Sequence, residues 1–124
     1  MERTAEEVSF DQTALSVFGY CYAEIGDAES AEVLTESLME ECIRKGLSTN
    51  PLRSLQLSIS HFDQYRNQEH SPYTRDQKVV LSLRFGAGLD NFETARVMKK
   101  NFISTYKLVL EAVDIFNKTH QFAA

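Results

Sequence analysis

Three histidines and two cysteines are the side chains best suited to chemistry near neutral pH, and their spacing argues against a catalytic centre. His61, His70 and His120 are scattered, and no H-E-x-x-H or E-x-x-H pair places two working groups on one helical face. No glycine-rich phosphate loop is present, and Cys21 and Cys42 lack C-x-x-C spacing. Two thiols are too few for the disulfide framework of a small secreted domain, so both are expected as core thiols. The acids between positions 27 and 36 follow helical spacing, not that of a Ca²⁺ loop. No catalytic residue, metal ligand or cofactor is expected, and the chain reads as a non-enzyme.

Charge offers a second kind of chemistry, attraction to a polyanion. The formal net charge of −5 is unevenly spread. Residues 1–70 carry five Arg/Lys against thirteen Asp/Glu, a net −8, whereas residues 71–124 carry eight against five, a net +3. The split suits an acidic, protein-facing half followed by a mildly basic half that approaches nucleic acid, or two ordinary solvated faces. With 124 residues, 43% apolar and 25% charged, the chain makes one compact domain or two very small ones and excludes a multi-domain enzyme. Apolar stretches such as 79–83 fall far short of the ~20 residues that span a bilayer. Met1-Glu2-Arg3 leads into acids instead of an apolar core, so a cytoplasmic location without membrane contact is expected.

The elements that must position these residues are helices, since glycine and proline are scarce and β-type alternation is nearly absent. A first helix is expected over 10–25, opened by a Ser9/Gln12 capping box, with Leu15, Phe18, Tyr22 and Ile25 facing inward. Gly26 stops it. Asp27 caps a second helix over 28–45, with Ala31, Leu34, Leu38 and Cys42 inward and Gly46 at its end. Asn50-Pro51 opens a third, over 51–66, where Leu52, Leu55, Ile59 and Phe62 recur. Residues 67–72 form a polar linker. Thr74 with Gln77 opens a helix through Phe85 that buries Val79, Val80 and Leu83, and Gly86-Ala87-Gly88 breaks it. Asp90 with Glu93 caps a brief helix to about Met98. After a Lys-Lys-Asn turn comes a last helix over 102–118, with Val109, Val113 and Phe116 inward. Helix, short turn and helix behind a supporting helix is the plan of a helix-turn-helix reader.

The segment Asp76-Gln77-Lys78-Val79-Val80-Leu81-Ser82-Leu83-Arg84-Phe85, followed by Gly88-Leu89-Asp90-Asn91-Phe92-Glu93-Thr94-Ala95, resembles the promoter-reading domain of bacterial sigma factors, with its Q-R-x-V-L-x-L-R-[FY] and G-L-S-x-x-E-I-A pattern. Gly26-Asp27 and Ala31-Glu32-Val33-Leu34-Thr35-Glu36-Ser37-Leu38 are similar to the core-binding helix of the small, extracytoplasmic-function type. The resemblance implies an all-α protein. A sigma region-2-like bundle over 8–67 is joined by a short linker to a region-4-like helix-turn-helix over 74–118. It implies RNA polymerase core as a partner through Glu32, Leu34, Thr35, Leu38 and Met39. It also implies promoter DNA as a ligand and a bracing ion pair between Arg84 and Glu93.

Departures from the pattern fall on contact positions. Tyr106, Leu108 and Glu111 stand where the family commonly has cations, leaving Lys99, Lys100 and Lys107, with Asn101 and Ser104, as the DNA-binding candidates. The third helix lacks the tryptophan and asparagine of the family's promoter-melting pattern, and its His61 is either a base-stacking ring or a partly exposed helix histidine. From 67 to 74 an extended chain reaches about 25 Å. That is less than the ~34 Å of one duplex turn. The halves are therefore expected to pack as one compact body, which also relieves the marginal core of each. Two functions follow: a sigma-like transcription regulator binding polymerase, promoter DNA or both, or a protein-interaction module on a sigma-derived scaffold that binds an anti-sigma factor or pairs as a homodimer. An exposed patch of Phe102, Tyr106 and Leu108 is the mark of the second.

Overall fold

Short polar side chains, those of Asp27, Asn50, Thr74, Asp90 and Asn101, accept amides in the first turns of the helices that follow them. In a computed structural model describing residues 5–66 and 71–120, with residues 5–8 as backbone only, six α-helices and no strand are present among the described residues. They are α1 (Ala5–Ile25), α2 (Ala28–Arg44), α3 (Pro51–Asp63), α4 (Arg75–Leu81), α5 (Asn91–Met98) and α6 (Phe102–Thr119). Asp27 accepts from the Ser30 amide (2.9 Å) and Asn50 from the Arg53 amide (3.1 Å), as their sequence positions require. Thr74 with Gln77 and Asp90 with Glu93 both close reciprocal capping boxes.

Two expectations fail along α1, and α3 stops at Asp63 instead of continuing to 66. Ser9 is inside α1, not at its start, and its carbonyl accepts the Thr13 hydroxyl (2.7 Å). The inward face of α1 is also rotated from the expected one: Thr13, Val17, Tyr20 and Cys21 are buried, whereas Leu15 is 71% exposed and Tyr22 and Ile25 are exposed as well. Apolar residues surround this helix, and the side that goes in is the one that lets other elements approach closely.

That approach is made at Gly19. Helix α4 does not continue as α-helix to Phe85 but widens into one π-type turn, Ser82–Gly86, closed by the Ala87 amide on the Ser82 carbonyl (2.8 Å). The turn brings Gly86 against Gly19 with backbone facing backbone. Around this crossing, α1 packs on α2, α3 and the π-turn, burying Leu38, Cys42, Leu55, Ile59, Val79 and Leu83 in a core shared by both halves. Gln56 of α3 donates to the Val97 carbonyl of α5 (3.0 Å), a second tie between halves. The result is one compact all-helical body. A smaller cluster of Val80, Val109 and Ala112 holds α4 to α6.

The part of the linker at 67–70, with His70, lies outside the described residues. No described helix is long and apolar enough to cross a membrane.

Candidate functional site

The α5–α6 corner is built from local chemistry outward. The Glu93 amide donates to Asp90 Oδ1 (2.8 Å) and the Asp90 amide to Glu93 Oε1 (3.1 Å), which fixes the start of α5. At its end Lys99 takes the left-handed conformation (φ 57°, ψ 41°), and the Lys100 amide returns to the Ala95 carbonyl (3.0 Å). Asn101 then caps α6 by accepting from the Ser104 amide (2.8 Å). Three residues thus turn the chain from one helix to the next. The interior of the corner is intact: Ala95 is 6% and Val109 7% exposed, with Thr94, Val97, Thr105 and Ala112 buried beside them.

All five DNA-binding candidates fall at this corner. Lys99, Ser104 and Lys107 are exposed, while the Asn101 carboxamide oxygen is committed to the cap. Lys100 is engaged as well, its Nζ lying 3.2 Å from Asp76 Oδ2. On α6, Glu111 accepts from Gln77 (3.3 Å), so the carboxylate at a reading position is tied to α4. The expected Arg84–Glu93 ion pair is replaced by two separate bonds. Arg84 Nη1 donates to the Leu89 carbonyl (2.6 Å) across the break between helices, and Glu93 is consumed by its capping box. Arg84 still braces the corner, through backbone.

The polymerase-facing set is divided by burial. Glu32 is exposed and Leu34 half-buried, but Thr35, Leu38 and Met39 lie in the core, where the Thr35 hydroxyl donates to the Ala31 carbonyl (2.6 Å). Met39 nonetheless reaches the floor of a groove of about 440 Å³ between α1 and α2, with Phe10, Ala14, Phe18 and Ile43. Glu32, Glu36 and Glu40 rim it at successive turns of α2. Of the expected inner stripe of α6, Val109 is buried and Val113 half-buried, but Phe116 is exposed and stacks on His120 (centroids 4.1 Å).

One feature was read from the letters only in part, through Phe102 and Tyr106, and two were not read at all. First, Phe92 stacks on Phe102 (4.5 Å) and Phe102 on Tyr106 (6.2 Å), an aromatic row in which Phe102 is 38% and Tyr106 44% exposed. Ile103 and Leu110 are exposed on the same helix, while Leu108 turns inward to the Val80 cluster. Second, alternating charges run from α1 to the α5–α6 turn. Arg66 pairs with Glu24 and with Asp63 (2.6 Å), Arg75 with Asp63 (2.8 Å) and Asp76 (2.7 Å), and Asp76 with Lys100. Hydrogen bonds from Arg75 hold the carboxyls of both Asp63 and Asp76 below the usual range. Burial works against the Arg66 charge, yet its bonds to Glu24 and Asp63 outweigh it and hold the guanidinium more firmly protonated. Third, a cavity opens between α1 and α6, described below.

Both cysteines are buried free thiols, and burial pushes Cys21 up to about 11. His61 rests against Phe62 (5.7 Å) and Tyr65 (5.4 Å). Among the described residues no three His, Cys, Asp or Glu side chains gather as a metal site would. No family model, curated protein or solved structure matches the chain.

Proposed function

We propose that this protein is a sigma-like transcription regulator that engages promoter DNA, RNA polymerase or both. The observation that carries the reading is the α5–α6 corner: two capped helices, a three-residue turn and a buried interior, with Lys99, Ser104 and Lys107 exposed. The acid-rimmed groove of α1 and α2 is the polymerase-facing surface in this reading, with Glu32 as its exposed member and Met39 as part of its floor. The protein performs no chemistry. A gel shift with promoter-type duplexes at low salt, with a pull-down on RNA polymerase core, tests the proposal. DNA binding should weaken steeply as salt rises, and Lys99→Glu with Lys107→Glu should lower the slope of log K against log salt by about 2. Absence of both interactions removes the proposal.

The aromatic row favours a second reading, a protein-interaction module that binds an anti-sigma factor or a second copy of itself. Three aromatic rings in a row beside Ile103 and Leu110 are an apolar surface of the kind that marks partners. Here Phe92→Ser and Tyr106→Ser should abolish association, measured by pull-down or sedimentation, and the two lysine reversals should leave it unchanged.

A further inference from the structure

A cavity of about 760 Å³ lies between the end of α1, the α4–π-turn segment and the last turns of α6. That volume falls within the ~300–1,000 Å³ of small-molecule sites. Its walls are apolar and drawn from both halves: Tyr22 from α1, Leu81 and Phe85 from the second half's first element, Val113 and Phe116 from α6. Tyr73 before α4, Asn117 and His120 at the end of α6, and two polar groups on one face of the α4 segment break this apolar lining. Lys78 and Ser82 both line the cavity, and at a spacing of four they stand one turn apart.

Neither has a hydrogen-bond or ion-pair partner on its side chain among the described residues. The Ser82 hydroxyl is fully buried without a hydrogen-bond partner, a costly state for a polar group. The Lys78 ammonium approaches the Tyr73 ring (5.7 Å to the centroid) and makes no ion pair with a carboxylate among the described residues. Lys78, Tyr73 and His120 also line an adjoining, more polar hollow of about 500 Å³. The carboxylate in that hollow, Glu24, is already held by Arg66 and by the Tyr20 hydroxyl (2.8 Å). Among the described residues the mouth therefore has a cation without a carboxylate partner, and the interior is an apolar slot with the Ser82 hydroxyl buried behind its wall.

We infer that this cavity binds a small amphipathic carboxylate. The apolar body lies against Tyr22, Phe85, Val113 and Phe116, and the carboxylate accepts from Lys78 Nζ at the mouth. Such a ligand fastens α1 to α6 and so stabilises the packing of one half on the other. The inference is independent of what the α5–α6 corner binds.

Titration calorimetry and thermal unfolding of the full chain with octanoate test it, with octanol and octylammonium as matched neutral and cationic probes. Octanoate should bind with one-to-one stoichiometry, raise Tm and bind at least ~10-fold more tightly than octylammonium. Lys78→Met should weaken octanoate about 10-fold and leave octanol within about 2-fold. Val113→Trp, which fills the slot, should abolish binding of octanoate and octanol alike. Because Lys78 is only partly buried, its variant carries the test even if the tryptophan variant does not fold. Equal binding of octanoate and octylammonium, an unchanged octanoate affinity in Lys78→Met, or no binding of octanoate overturns the inference.

Discussion

Replacing Gly19 by alanine tests the crossing on which the assembly of the two halves depends. Neither Gly19 nor Gly86 needs a left-handed backbone, so strain in φ plays no part. A Cβ on Gly19 would sit 2.8 Å from the Gly86 carbonyl carbon, about 0.6 Å inside ordinary contact, and closer still to its oxygen. The obstacle is backbone and cannot rotate away, so α1 and the π-turn must separate. Overpacking of this kind costs about 1–3 kcal/mol, and a backbone obstacle puts it at or above the upper end. Opposing it is the helix preference of alanine over glycine, about 1 kcal/mol. The net expectation is a loss of about 2 kcal/mol, or a Tm lower by about 8 °C for a chain of this size. Urea unfolding followed by circular dichroism measures it. Ser37→Ala, on the exposed face of α2, takes only the gain in helix preference and serves as the control. A Gly19→Ala protein as stable as the parent, or more so, would refute the packing of α1 on the π-turn.

The charge chain supplies further expectations. Arg66→Met leaves the Glu24 carboxylate, whose side chain is 4% exposed, with the Tyr20 hydroxyl but no cation, and should cost about 3 kcal/mol in urea unfolding. Adding Glu24→Gln should recover at least about 1 kcal/mol, and strictly additive losses would show that the pair is uncoupled. Arg75 governs acid stability. Asp63 and Asp76 bind protons more weakly folded than unfolded, so their contribution is present above the ordinary carboxyl value near ~4 and is lost as pH falls through the lowered values. Arg75→Ala should therefore flatten the fall of Tm below about pH 4, and parallel acid limbs for variant and parent would count against the assignment.

The starts of α2 to α5 were legible, unlike that of α1, because a cap is a contact between residues three apart. Asp27, Asn50-Pro51, Thr74 with Gln77 and Asp90 with Glu93 needed no knowledge of the rest of the chain. The corner at 99–101 was legible for the same reason, and the five candidate residues there are brought together because they are neighbours in sequence. The α2 set was half legible. Helical spacing placed Leu38 and Cys42 inward correctly, but which of Leu34, Thr35 and Met39 joins them depends on the angle at which α1 lies across α2.

What the sequence by itself determined is thus local: an all-helical chain, the caps, the break after Gly86 and the corner between α5 and α6. Tertiary structure alone decided the rest. Apolar residues on every side of α1 leave its inward face open until Gly19 meets Gly86, residues 67 positions apart. Arg84 donates to the Leu89 carbonyl across the helix break, while the Glu93 carboxylate accepts the Asp90 amide in its capping box, an arrangement set by how the two elements meet. The charge chain and the cavity join α1 to residues 66–120, and such contacts are set by how whole helices pack, which no short-range pattern encodes.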